Sequence, residues 1–178
     1  MAEKQTIKVQ MDITPEIRAL FKKLNEMDAD SKNELKERVK AISGWVAEEI
    51  KTAATYAPMY KQAALVSQSV RVSKDRVPSI TIGGSKKAKV TRKRTQANPA
   101  PTVGELLYGS EFGANPTSEA GAFPNGGRRF PYRSPQRGRG SEGYWIYPTL
   151  RLAQPRITRE WHAEVDSILA KWDKGVMK

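Results

Sequence analysis

The sequence predicts an α+β fold in which a small antiparallel sheet packs against two or three helices and carries long basic Gly/Pro/Arg-rich loops. Three observations predict it. Apolar and polar residues alternate near the N-terminus, two long stretches place apolar residues at steps of three and four, and the region 85–141 shows neither period while collecting Gly, Pro and Arg. With 178 residues, 38% hydrophobic and 28% charged, the chain is expected to form one domain, 1–178, with 85–141 inserted in it as a long basic loop region.

Residues 6–12 place Ile7, Val9 and Met11 on one side and Thr6, Lys8 and Gln10 on the other, the period of a short strand. Thr14-Pro15-Glu16 reads as a helix start, because threonine can accept from free amides and proline suits a first turn; Ile17, Leu20, Phe21 and Leu24 then form a stripe. Ser31-Lys32-Asn33-Glu34 has capping-box spacing. Leu35, Val39, Ile42, Val46, Ile50 and Ala53 follow on one helical face, and the helix should stop before Pro58. Gly44 within it costs about 1 kcal/mol relative to alanine.

Residues 65–72 offer Val66, Val70 and Val72 to one face and 77–82 offer Ile80 and Ile82, which predicts a hairpin through Ser73-Lys74-Asp75-Arg76 that ends at Gly83-Gly84. Leu106, Leu107 and Tyr108 suit a short strand or a helical turn. Tyr144-Trp145-Ile146-Tyr147 reads as a compact aromatic strand or buried segment ended by Pro148. After Pro155, the residues Ile157, Trp161, Val165, Ile168, Leu169 and Trp172 recur at the spacing of a final helix.

The chemistry-bearing side chains are sparse. There is no cysteine, and His162 is the one histidine, on a helix where a surface or partly packed position is the expected reading. The acid pairs Glu34/Glu37 and Glu48/Glu49 fall on what should be a solvated helix face. Gly83-Gly84-Ser85-Lys86 lacks the spacing of a GxxxxGK[ST] phosphate loop. We therefore expect no enzyme activity, no metal and no cofactor. No apolar run approaches the roughly 18 to 20 residues of a membrane span, and Met1-Ala2-Glu3-Lys4 does not open a signal peptide, so a chain free of membranes is expected.

The net charge of +12 is concentrated. Residues 85–140 hold 11 basic and 3 acidic side chains, two-thirds of the whole excess. Lys86, Lys87, Lys89, Arg92, Lys93 and Arg94 form one cluster, and Arg128, Arg129, Arg133, Arg137 and Arg139 form a second, interleaved with Phe130 and Tyr132. Such density attracts phosphate backbones, and aromatic rings between arginines can stack on bases. The same loops suit acidic protein surfaces, so these eleven residues are candidates for contact with DNA or with protein partners.

Several segments fall in a recognisable order: Ala57-Pro58 after a long helix, Leu65-Val66-Ser67-Gln68-Ser69-Val70, Ile80-Thr81-Ile82-Gly83-Gly84, Tyr108-Gly109-Ser110-Glu111-Phe112-Gly113, and Tyr144-Trp145-Ile146-Tyr147-Pro148-Thr149-Leu150-Arg151. Over about residues 30–175 this resembles the siphophage neck and tail-component family, the tail-completion or head-tail joining proteins. The resemblance implies a virion protein at the head-to-tail junction, assembled in the host cytoplasm. It would form a homo-oligomeric ring, expected to be hexameric, that touches connector, stopper or tail-tube proteins and the genomic DNA in the channel. The alternative from the residues alone is an autonomous nucleic-acid-binding protein that uses the basic loops.

Overall fold

The computed structural model describes residues 6–10, 22–57, 60–89, 100–112 and 143–174. Its elements are β1 (Thr6–Gln10), α1 (Ala29–Tyr56), α2 (Tyr60–Ser67), β2 (Arg71–Val72), β3 (Ser79–Gly83), α3 (Val103–Phe112) and α4 (Ile146–Asp173). The strands form an antiparallel sheet in the order β1-β3-β2, with Ile7 opposite Ile82 and Arg71 opposite Thr81. The fold is α+β, as the two periodicities predict. Of the helix predicted from Thr14, residues 22–26 are helical and Leu24 is buried; the rest, with Ile17, Leu20 and Phe21, lies outside the described residues.

The stripe on α1 is buried through Leu35, Val39, Ile42, Val46 and Ile50. Ala53, about five turns from Leu35, is half-buried against the same core, and its neighbour Ala54 is fully buried. The cap of α1 differs from the prediction. Asp28 is the N-cap: its Oδ1 accepts from Ser31 N at 2.8 Å and its Oδ2 accepts from Ser31 Oγ at 2.7 Å. A carboxylate is a stronger acceptor than a hydroxyl, so the helix starts one turn earlier than Ser31 suggests. Glu34 is thereby released to pair with Arg38 and with Lys171, 2.8 Å away on α4. At the other end Ala57 is extended, the conformation that a following proline favours.

Two buried clusters lie along α1. Leu24, Met27, Leu35, Val39 and Ile42 meet Trp161, Val165 and Ile168 of α4. Val46, Ile50 and Ala54 meet α2, the sheet, α3 and the start of α4 through Ala63, Val66, Ile80, Ile82, Leu107, Trp145 and Ile146. Trp45 and Ile157 pack against both clusters. Polar links hold the layers in register. Arg38 Nη1 reaches Glu164 at 2.7 Å, Trp45 donates to Glu160 at 2.9 Å, and the Trp161 indole donates to the Arg76 carbonyl at 2.9 Å. Buried Ser43 donates to Val39 O and accepts from Ser79 N, tying α1 to β3.

Two predicted elements change type, and a third takes one of its two expected forms. The first hairpin arm shrinks to Arg71–Val72, because residues 60–67 coil into α2. Lys61, Gln62, Ala63, Ala64 and Leu65 favour a helix, and Ala63 and Val66, three apart, are both fully buried. Burial on that face overrides the strand preference of Val66. The turn after it is closed by Ser69, whose hydroxyl donates to Val66 O at 2.6 Å and accepts from Gly83 N at 2.8 Å. Leu106, Leu107 and Tyr108 take the helical of their two expected forms, within α3. Finally, Ile146 and Tyr147 open α4, with Pro148 in its first turn and Pro155 inside it. Proline is tolerated in a first turn, where its missing N–H would have no partner.

Candidate functional site

The described part of the basic region is the base from which it extends. Lys86, Lys87 and Lys89 are exposed. The flanking backbones pair: Ala88 N donates to Pro101 O at 2.8 Å, Val103 N to Lys86 O at 2.8 Å and Gly104 N to Gly84 O at 2.9 Å, with a Lys87–Thr102 bridge. Gly84 sits at φ 115°, a conformation that favours glycine. Arg92, Lys93 and Arg94 of the first cluster, and Arg128, Arg129, Arg133, Arg137 and Arg139 of the second, lie outside the described residues. The structure therefore fixes where both basic segments are rooted, and the common root is α3.

The N-terminal end of α3 closes the first segment. Thr102 and Glu105 form a reciprocal capping box, with Thr102 N donating to Glu105 Oε2 at 2.6 Å and Glu105 N donating to Thr102 Oγ1 at 3.2 Å. Val103, Leu106, Leu107 and Ser110 are buried along the helix. Ten residues give it a length of about 15 Å.

The C-terminal end of α3 closes the second segment. Glu111 is fully buried, and its carboxylate accepts from Trp145 N at 3.1 Å, Ile146 N at 2.8 Å and Tyr147 N at 2.9 Å. Those amides are the open N-terminus of α4, whose own N-cap residue, Trp145, supplies no side-chain cap. Glu111 thus caps from another helix and places a negative charge at the positive end of the α4 dipole. Burial pushes its carboxyl above the usual carboxylate pKa, while the amide donors pull the other way. Gly143 is required beside it: at φ 66° it would place a Cβ only 1.8 Å from Glu111 Oε1. Phe112 packs on Tyr147 at 5.5 Å and on Tyr108 at 6.2 Å, sealing the same junction.

Reading the sequence missed three parts of this base. The pattern Thr102-Val103-Gly104-Glu105 before Leu106-Leu107 carries the capping-box signal and could have been found. Glu111 and Gly143 act across 32 residues of chain, and no local spacing links them. Elsewhere, His162, Glu48 and Glu49 are exposed. No group of three or more potential ligands among the described residues is placed to hold a metal ion, and no described helix is long and apolar enough to cross a membrane. Compared with protein-family models, with curated proteins and with solved structures, the chain matches none of them.

Proposed function

We propose that this chain is a structural component of a tailed-phage virion at the head-to-tail interface, a neck, tail-completion or tail-terminator protein whose copies close into a ring joining the DNA-filled head to the tail. The observation that carries this reading is the shared root of the two basic segments. Both join the ends of one short helix whose N-terminus is capped by Thr102 and Glu105, and Glu111 ties that helix to α4. A body so arranged presents the exposed Lys86, Lys87 and Lys89 on a rigid mount, which suits a part that works by packing. The order of the segments that resemble the siphophage family supports the same reading.

In such a ring each copy offers one patch to a different patch on the next. The eleven basic residues then meet connector, stopper or tail-tube proteins along the axis, or genomic DNA in the lumen, with no membrane and no cofactor involved. The test is the oligomeric state and attachment of the purified chain. The reading requires a closed oligomer, with six copies expected, or stoichiometric binding to head or tail parts.

A second reading, an autonomous nucleic-acid-binding protein, is favoured by the exposure of Lys86, Lys87 and Lys89. It requires a monomer that binds duplex DNA at micromolar concentration or below, with affinity falling steeply as salt rises. A monomer of that behaviour that binds no virion part would replace the ring.

A further inference from the structure

We infer that the outer face of the sheet is a docking surface for a nucleic-acid phosphate backbone, with Lys8 and Arg71 as its principal contacts. Neither residue is among the eleven discussed above, and the surface is complete on a single copy, so the inference goes beyond the ring and does not depend on it. Side chains alternate between the two faces of a strand. Ile7, Ile80 and Ile82 are buried with Val46 of α1, Ala63 of α2 and Leu107 of α3, so Thr6, Lys8, Thr81 and Gly83 take the opposite face. Val72 packs on the same cluster, which places Arg71 on the outer face too. The register sets Lys8 opposite Thr81 and Thr81 opposite Arg71, one row across all the strands. With neighbouring strands about 4.8 Å apart, the row starts two cations about 10 Å from each other with a hydroxyl between them.

No carboxylate answers this row. Lys8 and Arg71 are exposed, and neither has an ion pair among the described residues. Beyond the row, Gly83 and Gly84 end the strand at φ 99° and 115°, and a Cβ on Gly84 would meet nothing within 4 Å, so the backbone there is open to close approach. Lys86, Lys87 and Lys89 follow, exposed and likewise without an ion pair among the described residues. The long helices differ. Arg38, Lys40 and Lys51 of α1 and Arg156 and Lys171 of α4 each meet a carboxylate. The sheet and the segment that leaves β3 thus carry a run of cations that the protein itself does not neutralise.

The composition of the face selects its occupant. A protein interface has an apolar centre depleted of lysine, whereas the outward positions here are Thr6, Lys8, Thr81, Gly83 and Arg71, with no large apolar side chain. Ammonium, guanidinium and hydroxyl groups are the donors that hold phosphate oxygens. A second copy of the chain fits poorly, because Glu34, Glu37, Glu48, Glu160 and Glu164 of its helices are already paired with its own cations. A duplex carries one negative charge per about 1.7 Å of its axis and releases bound counterions when such a face meets it.

The test is the salt dependence of binding between the full chain and a short labelled DNA duplex, read by fluorescence anisotropy from about 50 to about 200 mM salt, with labelled polyglutamate as a second probe. The slope of the logarithm of the binding constant against that of salt should become shallower by about 2 in Lys8→Gln/Arg71→Gln and by about 1 in each single variant. Lys22→Gln/Lys23→Gln removes the same charge from two exposed residues beside Leu24, which packs in the other buried cluster, and should change the slope by less than about 0.5. The single variants carry the test if the double variant loses its melting transition. An unchanged slope, equal losses in the two double variants, or no duplex binding at the lowest salt overturns the inference. So does weakened binding confined to polyglutamate, which assigns the face to an acidic protein surface. Self-association of the Lys8 and Arg71 variants with an unchanged slope also overturns it, since the two cations would then guard the edges of the sheet. Sedimentation of the same samples reports the copy number, so the ring proposal is decided by a separate reading.

Discussion

Glu111 is the residue on which most of the base depends, since one carboxylate satisfies three amides that the α4 helix leaves open. Glu111→Ala strands those amides in a buried site, and chemical denaturation should show a loss of about 3 kcal/mol. Gly143→Ala should also destabilise, through its positive φ and the displaced carboxylate. The pH dependence has a definite sign. Because the folded pKa of Glu111 is raised, the folded state keeps a proton that the unfolded chain has already released. Its contribution is therefore full below the unfolded carboxylate pKa and declines as pH rises through the folded value. Glu34 and Glu160 have lowered pKa values, from the Lys171 and Arg156 contacts respectively, and act in the opposite direction. A difference measurement removes them: the melting temperature of the wild type minus that of Glu111→Gln should fall as pH rises through and above the ordinary carboxylate range. Gly44 gives the converse case. A Cβ there meets nothing within 4 Å, so Gly44→Ala should stabilise the protein by about 1 kcal/mol in the same denaturation assay.

At the scale of elements, α1 bears the fold, because its stripe enters both buried clusters. Ile42→Asp or Val46→Lys places an unpaired charge among Trp161, Val165 and their neighbours or against Ile80 and Ile82. Circular dichroism should show the cooperative melting transition lost in either variant. A soluble variant with a normal transition would contradict the register. That stripe was legible because six apolar positions repeat over five turns, and β1 and β3 were legible because two-residue alternation survives in short strands. Residues 60–67 were not, since Val66 favours a strand by local preference and the buried face it shares with Ala63 exists only in the folded protein. The start of α4 was hidden for a related reason. Pro148 reads as a stop, yet it is harmless in a first turn whose open amides Glu111 satisfies from 34 or more residues away.

At the scale of the whole molecule, the charge pattern gave the eleven candidate contact residues, and the structure supplied the mount that roots both groups on α3. The distance between the two halves of that mount in sequence is why composition alone could not describe it. Arg128→Ala, Arg129→Ala and Arg133→Ala made together should leave the melting transition intact while reducing the joining of heads to tails in an assembly assay. Full joining by that variant would remove the contact role from this group. The most direct measurement is electron microscopy of purified particles whose genome encodes a tagged copy of this chain. The account predicts the label on the particle axis at the junction of head and tail. Particles that lack the label, or carry it elsewhere, would contradict it.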